Sequence, residues 1–207
     1  MILYRPAGLE ELRLVYAAEM RAFPPRLPDQ PIFYPVTNEP YATQIARDWN
    51  TKSGTKAGFV TRFVVEDAYV SRFERRVVGA REHEELWVPA EDLADFNTRI
   101  EGPIEVVGAH FGEGYRGHVP EVGALRGKDA GAQLGVLAAM LAEGEGGVRE
   151  ELRVNHAAVF LNFFMWEQSG EAAAALAKLT AVWKSGADHR IAPLGLVATT
   201  TSATSSG

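Results

Sequence analysis

Arg81-Glu82-His83-Glu84-Glu85-Leu86-Trp87-Val88-Pro89 is the stretch on which the reading of this chain turns. A cluster of ionisable side chains runs directly into a short apolar strand. Strand alternation puts Glu84, Leu86 and Val88 on one face and Glu85 and Trp87 on the other. Pro89 has no N–H for a ladder and ends the strand. It can then open a short helix carrying Glu91 and Asp92, acids that suit the positive end of a helix. The question set by this stretch is whether one of its carboxylates acts on a substrate or only lines a solvated strand end.

Composition narrows the classes. The 207 residues suffice for one domain or one domain with an appendage, and 46% hydrophobic with 23% charged residues is ordinary for a globular chain. A net charge of -6 argues against a protein that coats nucleic acid. There are no cysteines, which excludes disulfides, thiolate nucleophiles and thiolate metal sites. No apolar run reaches the roughly 20 residues needed to span a bilayer. Met1 to Pro6 lacks the profile of a signal peptide. The expectation is a soluble, cytoplasmic protein with no membrane or nucleic-acid partner.

Outward from the charged stretch, the first half reads as short strands with early helices. Ile2 to Arg5 is β-prone and closed by Pro6. Leu9, Leu12, Val15 and Tyr16 recur at helical spacing, predicting a helix from Leu9 to Phe23. Pro24, Pro25 and Pro28 stiffen the connector that follows. Ile32 to Thr37 is a second strand, demoted to an edge or bulge by Pro35. Asn38 can cap the next helix, whose buried stripe would be Tyr41, Ile45 and Trp49 with Ala42 and Ala46. Gly58 to Val65 alternates clearly and should be a central strand. Ala68 to Val78 is expected to be extended, Gly102-Pro103 to turn the chain, and Ile104 to Phe111 to form one more strand. No Gly-x-Gly-x-x-Gly follows a strand and no Walker-type Lys is present.

Composition changes after the Gly-rich Gly112–Lys128 stretch. Helices are predicted over Ala132–Leu141, Val148–Gln168 and Glu171–Trp183. Val154, Ala158, Leu161 and Met165 form a stripe on the second, widened by Phe160, Phe163, Phe164 and Trp166. Three helices cannot bury that many aromatics alone, so they should pack on the strand-rich half or on a partner. The organisation expected is an α+β domain over 1–115, a helical extension over 128–190 and a disordered tail over 191–207.

An Arg closing the first strand, a Phe-Tyr strand leading into an Ala-x-x-x-Ala helix, and an x-Glu-aliphatic-aromatic-aliphatic-Pro strand occur in that order. The order resembles the ADP-ribosyltransferase fold, a split β-sheet domain shared by bacterial ADP-ribosylating toxins and poly-ADP-ribose polymerases. The chain is also similar to a small bacterial family loosely labelled ADP-ribosylation/crystallin. The likeness covers roughly the first half. It implies an NAD-dependent glycosyltransferase that moves ADP-ribose to an acceptor, protein or small molecule, or to water, without a metal.

Residue by residue, the resemblance implies that Glu85 is the catalytic carboxylate, Arg5 a contact for NAD phosphate or ribose, and Tyr34 the ring that stacks on nicotinamide. It places His83 on the acceptor side. The Ser-Thr-Ser strand of the toxins is missing, with Thr61 the nearest candidate, and Arg–Tyr–Glu mixes the toxin set with the polymerase set. The chemistry is nonetheless apt. Cleaving the nicotinamide–ribose bond builds positive charge on the sugar, which a desolvated carboxylate offsets. Pyrophosphate suits a forked guanidinium, and nicotinamide an aromatic face.

Each residue also has a plain structural reading. Glu85 can be an exposed charge at a strand mouth, Arg5 the partner of an acid such as Glu11, Tyr34 a half-buried core ring, His83 a solvated imidazole and Thr61 a β-former. Asn155, His156 and Asn162 on the aromatic helix fit satisfied hydrogen-bonders better than ligands. A non-catalytic interaction module on the same fold is the competing expectation, with the aromatic helices docking a partner or forming a homodimer.

Overall fold

The computed structural model describes residues 1–79, 83–186 and 192–198. Arg81 and Glu82 of the charged stretch lie outside them, as do residues 191 and 199–207 of the expected tail. The elements in order are β1 (Ile2–Ala7), α1 (Leu9–Ala17), β2 (Ile32–Phe33), α2 (Glu39–Asp48), β3 (Ala57–Val65), α3 (Asp67–Val70), β4 (Glu74–Val77), β5 (Glu84–Pro89), α4 (Leu93–Thr98), β6 (Ile100–Phe111), α5 (Ala130–Glu143), α6 (Glu145–Ser169) and α7 (Ala173–Ser185). Single 3₁₀ turns follow α2 and β5.

The strands form two antiparallel three-stranded sheets, β1-β3-β6 and β2-β5-β4. Val36 joins them: it pairs with Tyr4 of β1 on one side and with Glu85 of β5 on the other. β1 continues through Pro6, which pairs with Val60. The reason is directional. Tyr4 N–H points away from β3, to the Val36 carbonyl. Pro6, two residues on, would aim its missing N–H the same way, so no bond to β3 is lost.

Register decides which side chains share a face. Leu3, Arg5 and Ala7 pair with Phe63, Thr61 and Phe59 and look toward the main core. Tyr4 and Pro6 look the other way, toward α2, where Val36, Tyr41, Ala42, Ala46 and Val60 form a second, smaller core. Gly58 lets α2 lie against β3, since a Cβ there would collide with the Ala46 carbonyl.

The main core lies between the sheets, α1 and the C-terminal helices. Phe33, Phe59, Phe63, Phe96, Phe160, Phe164, Trp166 and Trp183 are all fully buried. Each contributes roughly 1.5–3 kcal/mol over leaving it exposed. The aromatic rings of α6 therefore pack on this chain's own strands and on α1, where Tyr16 stacks on Phe160 at 4.4 Å. They are not a free docking face. Among the described residues no helix is long and apolar enough to cross a membrane.

Several local expectations need correction. α1 stops at Ala17, and Glu19 and Met20 take φ of 57° and 54°. That turn carries Met20 and Phe23 into the core, both buried. Asn38 caps α2 as its position predicts, accepting from Tyr41 N at 2.9 Å. Trp49, assigned to the buried stripe, is 58% exposed at the helix end. Ala68–Val78 is not continuously extended, because a helical turn, α3, buries Tyr69 and Val70 before β4 begins. Gly102 and Pro103 do not end a strand. They sit inside β6, where its register against β3 shifts. Residues 192–198, placed in the expected disordered tail, run beside β6, with Val197 N donating to Val106 O at 2.9 Å.

Candidate functional site

The charged stretch delivers Glu85 and Trp87 to one face and Glu84, Leu86 and Val88 to the other, and Leu86 and Val88 are fully buried. On the partner strand the register is unbroken: Ile32 opposes Pro89, Phe33 opposes Val88 and Val36 opposes Glu85. Tyr34 therefore stands opposite Trp87, and their rings meet edge to face with centroids 5.2 Å apart. β4 supplies Arg76 opposite Glu85 and Glu74 opposite Trp87. Tyr34, Trp87, Glu85, Arg76 and Glu74 thus share one sheet face. α2 covers this face at the Val36 end.

Glu85 is partly buried and held from α2. Tyr41 Oη–H donates to Glu85 Oε1 at 3.0 Å. Burial first, and that bond second, push the Tyr41 hydroxyl up to about 12, so it stays a donor at neutral pH. His83 stacks flat on Tyr41, with centroids 4.2 Å apart. Its Nδ1 lies 3.2 Å from the Val78 carbonyl, which only accepts, so Nδ1 carries a proton. Its Nε2 lies 3.1 Å from the Gln44 side-chain amide, which tethers the ring to α2.

At the open end, the Arg76 guanidinium lies 3.6 Å over the Trp87 ring and pairs with Glu74 at 2.8 Å. The Trp87 indole N–H is buried and has no hydrogen-bond partner. Trp87, Arg76, Arg72, Phe73 and Asp92 line an open groove of about 480 Å³.

Arg5 is elsewhere. It lies on the opposite face of β1 from Tyr4, and so on the opposite face from Val36 and Glu85. Its guanidinium forms a two-pronged bond to Glu11 at 2.9 and 3.1 Å, with both side chains mostly buried. It also donates to the Tyr34 carbonyl at 3.2 Å and lies 5.3 Å over Phe33. Arg26 stands close by. Burial first, then the Arg5 charge, lowers its pKa, while Glu11 acts against that shift. Arg26 donates through Nη2 to Gln30 Oε1, and its Nε is buried without a partner. Thr61 is fully buried, and its hydroxyl donates to the Arg5 carbonyl at 2.9 Å, fixing β1 to β3.

The fold thus brings together Tyr34, His83 and Glu85, and places Arg5 and Thr61 on the other side of the sheet. Tyr41, Gln44, Trp87, Arg76 and Arg26 lie outside the set of sequence-predicted site residues. Trp87 was legible, since alternation in β5 ties it to Glu85. Tyr41 was assigned to the buried stripe of α2, and its hydroxyl, which ends on a carboxylate, could not be read from spacing. Comparison with protein-family models, with curated proteins and with solved structures finds no match.

Proposed function

We propose that this is an ADP-ribosyltransferase-like protein that uses NAD, with Glu85 as the catalytic carboxylate. It would transfer ADP-ribose to an acceptor or to water. The observation that carries the reading is that Glu85 and Tyr34, distant in the chain, share one sheet face with Trp87 of β5, which stands opposite Tyr34. In this reading Tyr34 and Trp87 give the nicotinamide ring its aromatic contact. Glu85, oriented by Tyr41, faces the ribose and offsets the charge that grows as the glycosidic bond breaks. His83 stands on the acceptor side.

Arg5 has the harder part. To hold pyrophosphate it must exchange Glu11 for the ligand and act around the Tyr34 end of the strand, where it already touches the Tyr34 carbonyl. Arg26 beside it supplies a second cation. The test is nicotinamide release from NAD by the purified protein, compared with Glu85→Gln. Loss of one carboxylate that stabilises the transition state costs on the order of 10²–10³ in rate. Equal release by the two proteins would remove Glu85 from the chemistry.

A second reading, a non-catalytic module on the same fold, is favoured by one observation: the Arg5–Glu11 pair lies on the far face from Glu85. A folded protein that neither binds NAD nor releases nicotinamide would support it, and a folded monomer with NAD bound would count against it. Its docking surface would have to lie outside the aromatic rings of α6, which are spent in the core.

A further inference from the structure

A second cleft, independent of the Glu85 face, opens where α1 meets α6. It measures about 420 Å³ and is lined by Arg13, Tyr16, His118, Pro120, Glu121 and His156, among others. That size suits a small molecule. Its walls are built rather than incidental. His118 is fixed at its backbone: its N–H donates to Asn162 Oδ1 at 2.8 Å, and its carbonyl accepts from Asn162 Nδ2 and Gln133 Nε2 at 2.9 and 2.8 Å. Asn162 and Gln133 are both fully buried.

The far end of the same loop is tied to α6 as well. Asn155 Nδ2 donates to the Val122 carbonyl at 2.9 Å, and Glu151 accepts from the N–H groups of Ala124 and Leu125. α6 departs from helical geometry at Asn155, with φ -126° and ψ 24°. The kink falls at the residue whose side chain bonds the loop. His156, the next residue, lines the cleft, and its Nδ1 lies 2.9 Å from the Tyr16 hydroxyl.

We infer that this cleft binds a small organic anion, through a phosphate or carboxylate group held by His118, His156 and Arg13. The argument is electrostatic and geometric. Of the polar side chains around the cleft, Arg13 is a fixed cation, and both imidazoles become cations by taking one proton. Burial is the first cause that lowers each imidazole's pKa, which favours the neutral ring. A desolvated anion between them would reverse that balance and draw the proton in.

Three carboxylates bear on these groups, and one of them, Glu121, itself lines the cleft. On α1, Glu10 pairs with Arg13 at 2.9 Å; after burial, which lowers the His118 pKa, the Glu10 charge raises it and the Arg13 charge lowers it. On the loop, Glu121 is exposed. On α6, Glu151 is engaged by backbone N–H groups and by Asn155. Among the described residues no group of three or more His, Asp or Glu is placed to hold a metal ion. Ala17, Val119 and Ala157 give the remainder of the ligand an apolar wall.

The experiment follows the ring resonances of His118 and His156 by NMR in the full chain. Sodium phosphate and sodium acetate are added in separate titrations, against sodium chloride at matched ionic strength. The expected result is a saturable shift of both rings with at least one anion, and a rise in their titration midpoints. Phosphate alone would mark a phosphoryl site, and acetate alone a carboxyl site. Replacing one charged hydrogen-bonding partner should weaken binding about ten-fold or more. His118→Gln and His156→Gln test that directly, and the more exposed Arg13→Gln tests it with the packed wall untouched. Shifts no larger than those from chloride, or anion binding unchanged in all three variants, would overturn the inference.

Discussion

Tyr34 and Trp87 face each other across β2 and β5 with ring centroids 5.2 Å apart, and Glu85 lies one step along the same face. The Arg76 guanidinium lies over the Trp87 ring, 3.6 Å from its centroid. An aromatic corner beside a tethered carboxylate is the arrangement from which the functional reading is built. If a nicotinamide or adenine ring stacks there, Tyr34→Ala and Trp87→Ala each weaken NAD binding by roughly ten-fold, the scale of one lost stacking contact. Calorimetric titration measures this. Unchanged affinity in both variants would move the ligand off this face.

The Arg5–Glu11 pair is a structural tie between β1 and α1 as it stands. Glu11→Ala leaves the mostly buried Arg5 guanidinium without its counter-charge and is expected to cost about 1–3 kcal/mol. Urea unfolding of the two single variants and the double variant closes the cycle. The double variant should be less destabilised than the sum of the singles, because the stranded charge is then gone.

The buried amide cluster under the 118–125 loop should be more sensitive. Asn162→Ala strands Gln133 Oε1 and leaves the His118 N–H without its partner, both inside the protein. A loss of about 2–4 kcal/mol is expected. Faster hydrogen exchange at His118 would accompany it, while the Ala124 and Leu125 amides, held by Glu151, would stay protected.

Stability should fall on the acid side through three imidazoles. Burial is the first cause that holds His110, His118 and His156 below the ordinary value of 6.5. The unfolded chain then binds more protons than the folded one below that pH. The stabilising contribution is complete above about 6.5 and is lost as the pH falls through the folded values. At the alkaline end the sign reverses: Tyr41 and Tyr69 are pushed up from 10.0 to about 12, so their contribution is present below 10 and lost over that interval. Thermal melts across pH check both limbs. His110→Gln combined with His118→Gln should flatten the acid limb.

Much of the fold was legible because it obeys simple periodicities. The alternation of Glu84 to Val88 placed both faces of β5, and Gly58–Val65 read as a central strand and is one. What spacing could not supply was the relation between strands. Arg5 and Glu85 each sit on a well-predicted strand, yet their side chains part because Val36 pairs with Tyr4, not with Arg5. A register shift of one residue reverses every face, and the sequence carries no mark of it. Trp49 misled for a related reason: helical spacing continued past the point where α2 stops having a neighbour to bury it.

The most direct measurement is nicotinamide release from NAD by the purified protein and by Glu85→Gln, with NAD binding recorded for both. The account predicts release by the native chain, a fall on the order of 10²–10³ in the variant, and nearly equal binding. Equal release by both proteins, or tight NAD binding with no release by either, would contradict it.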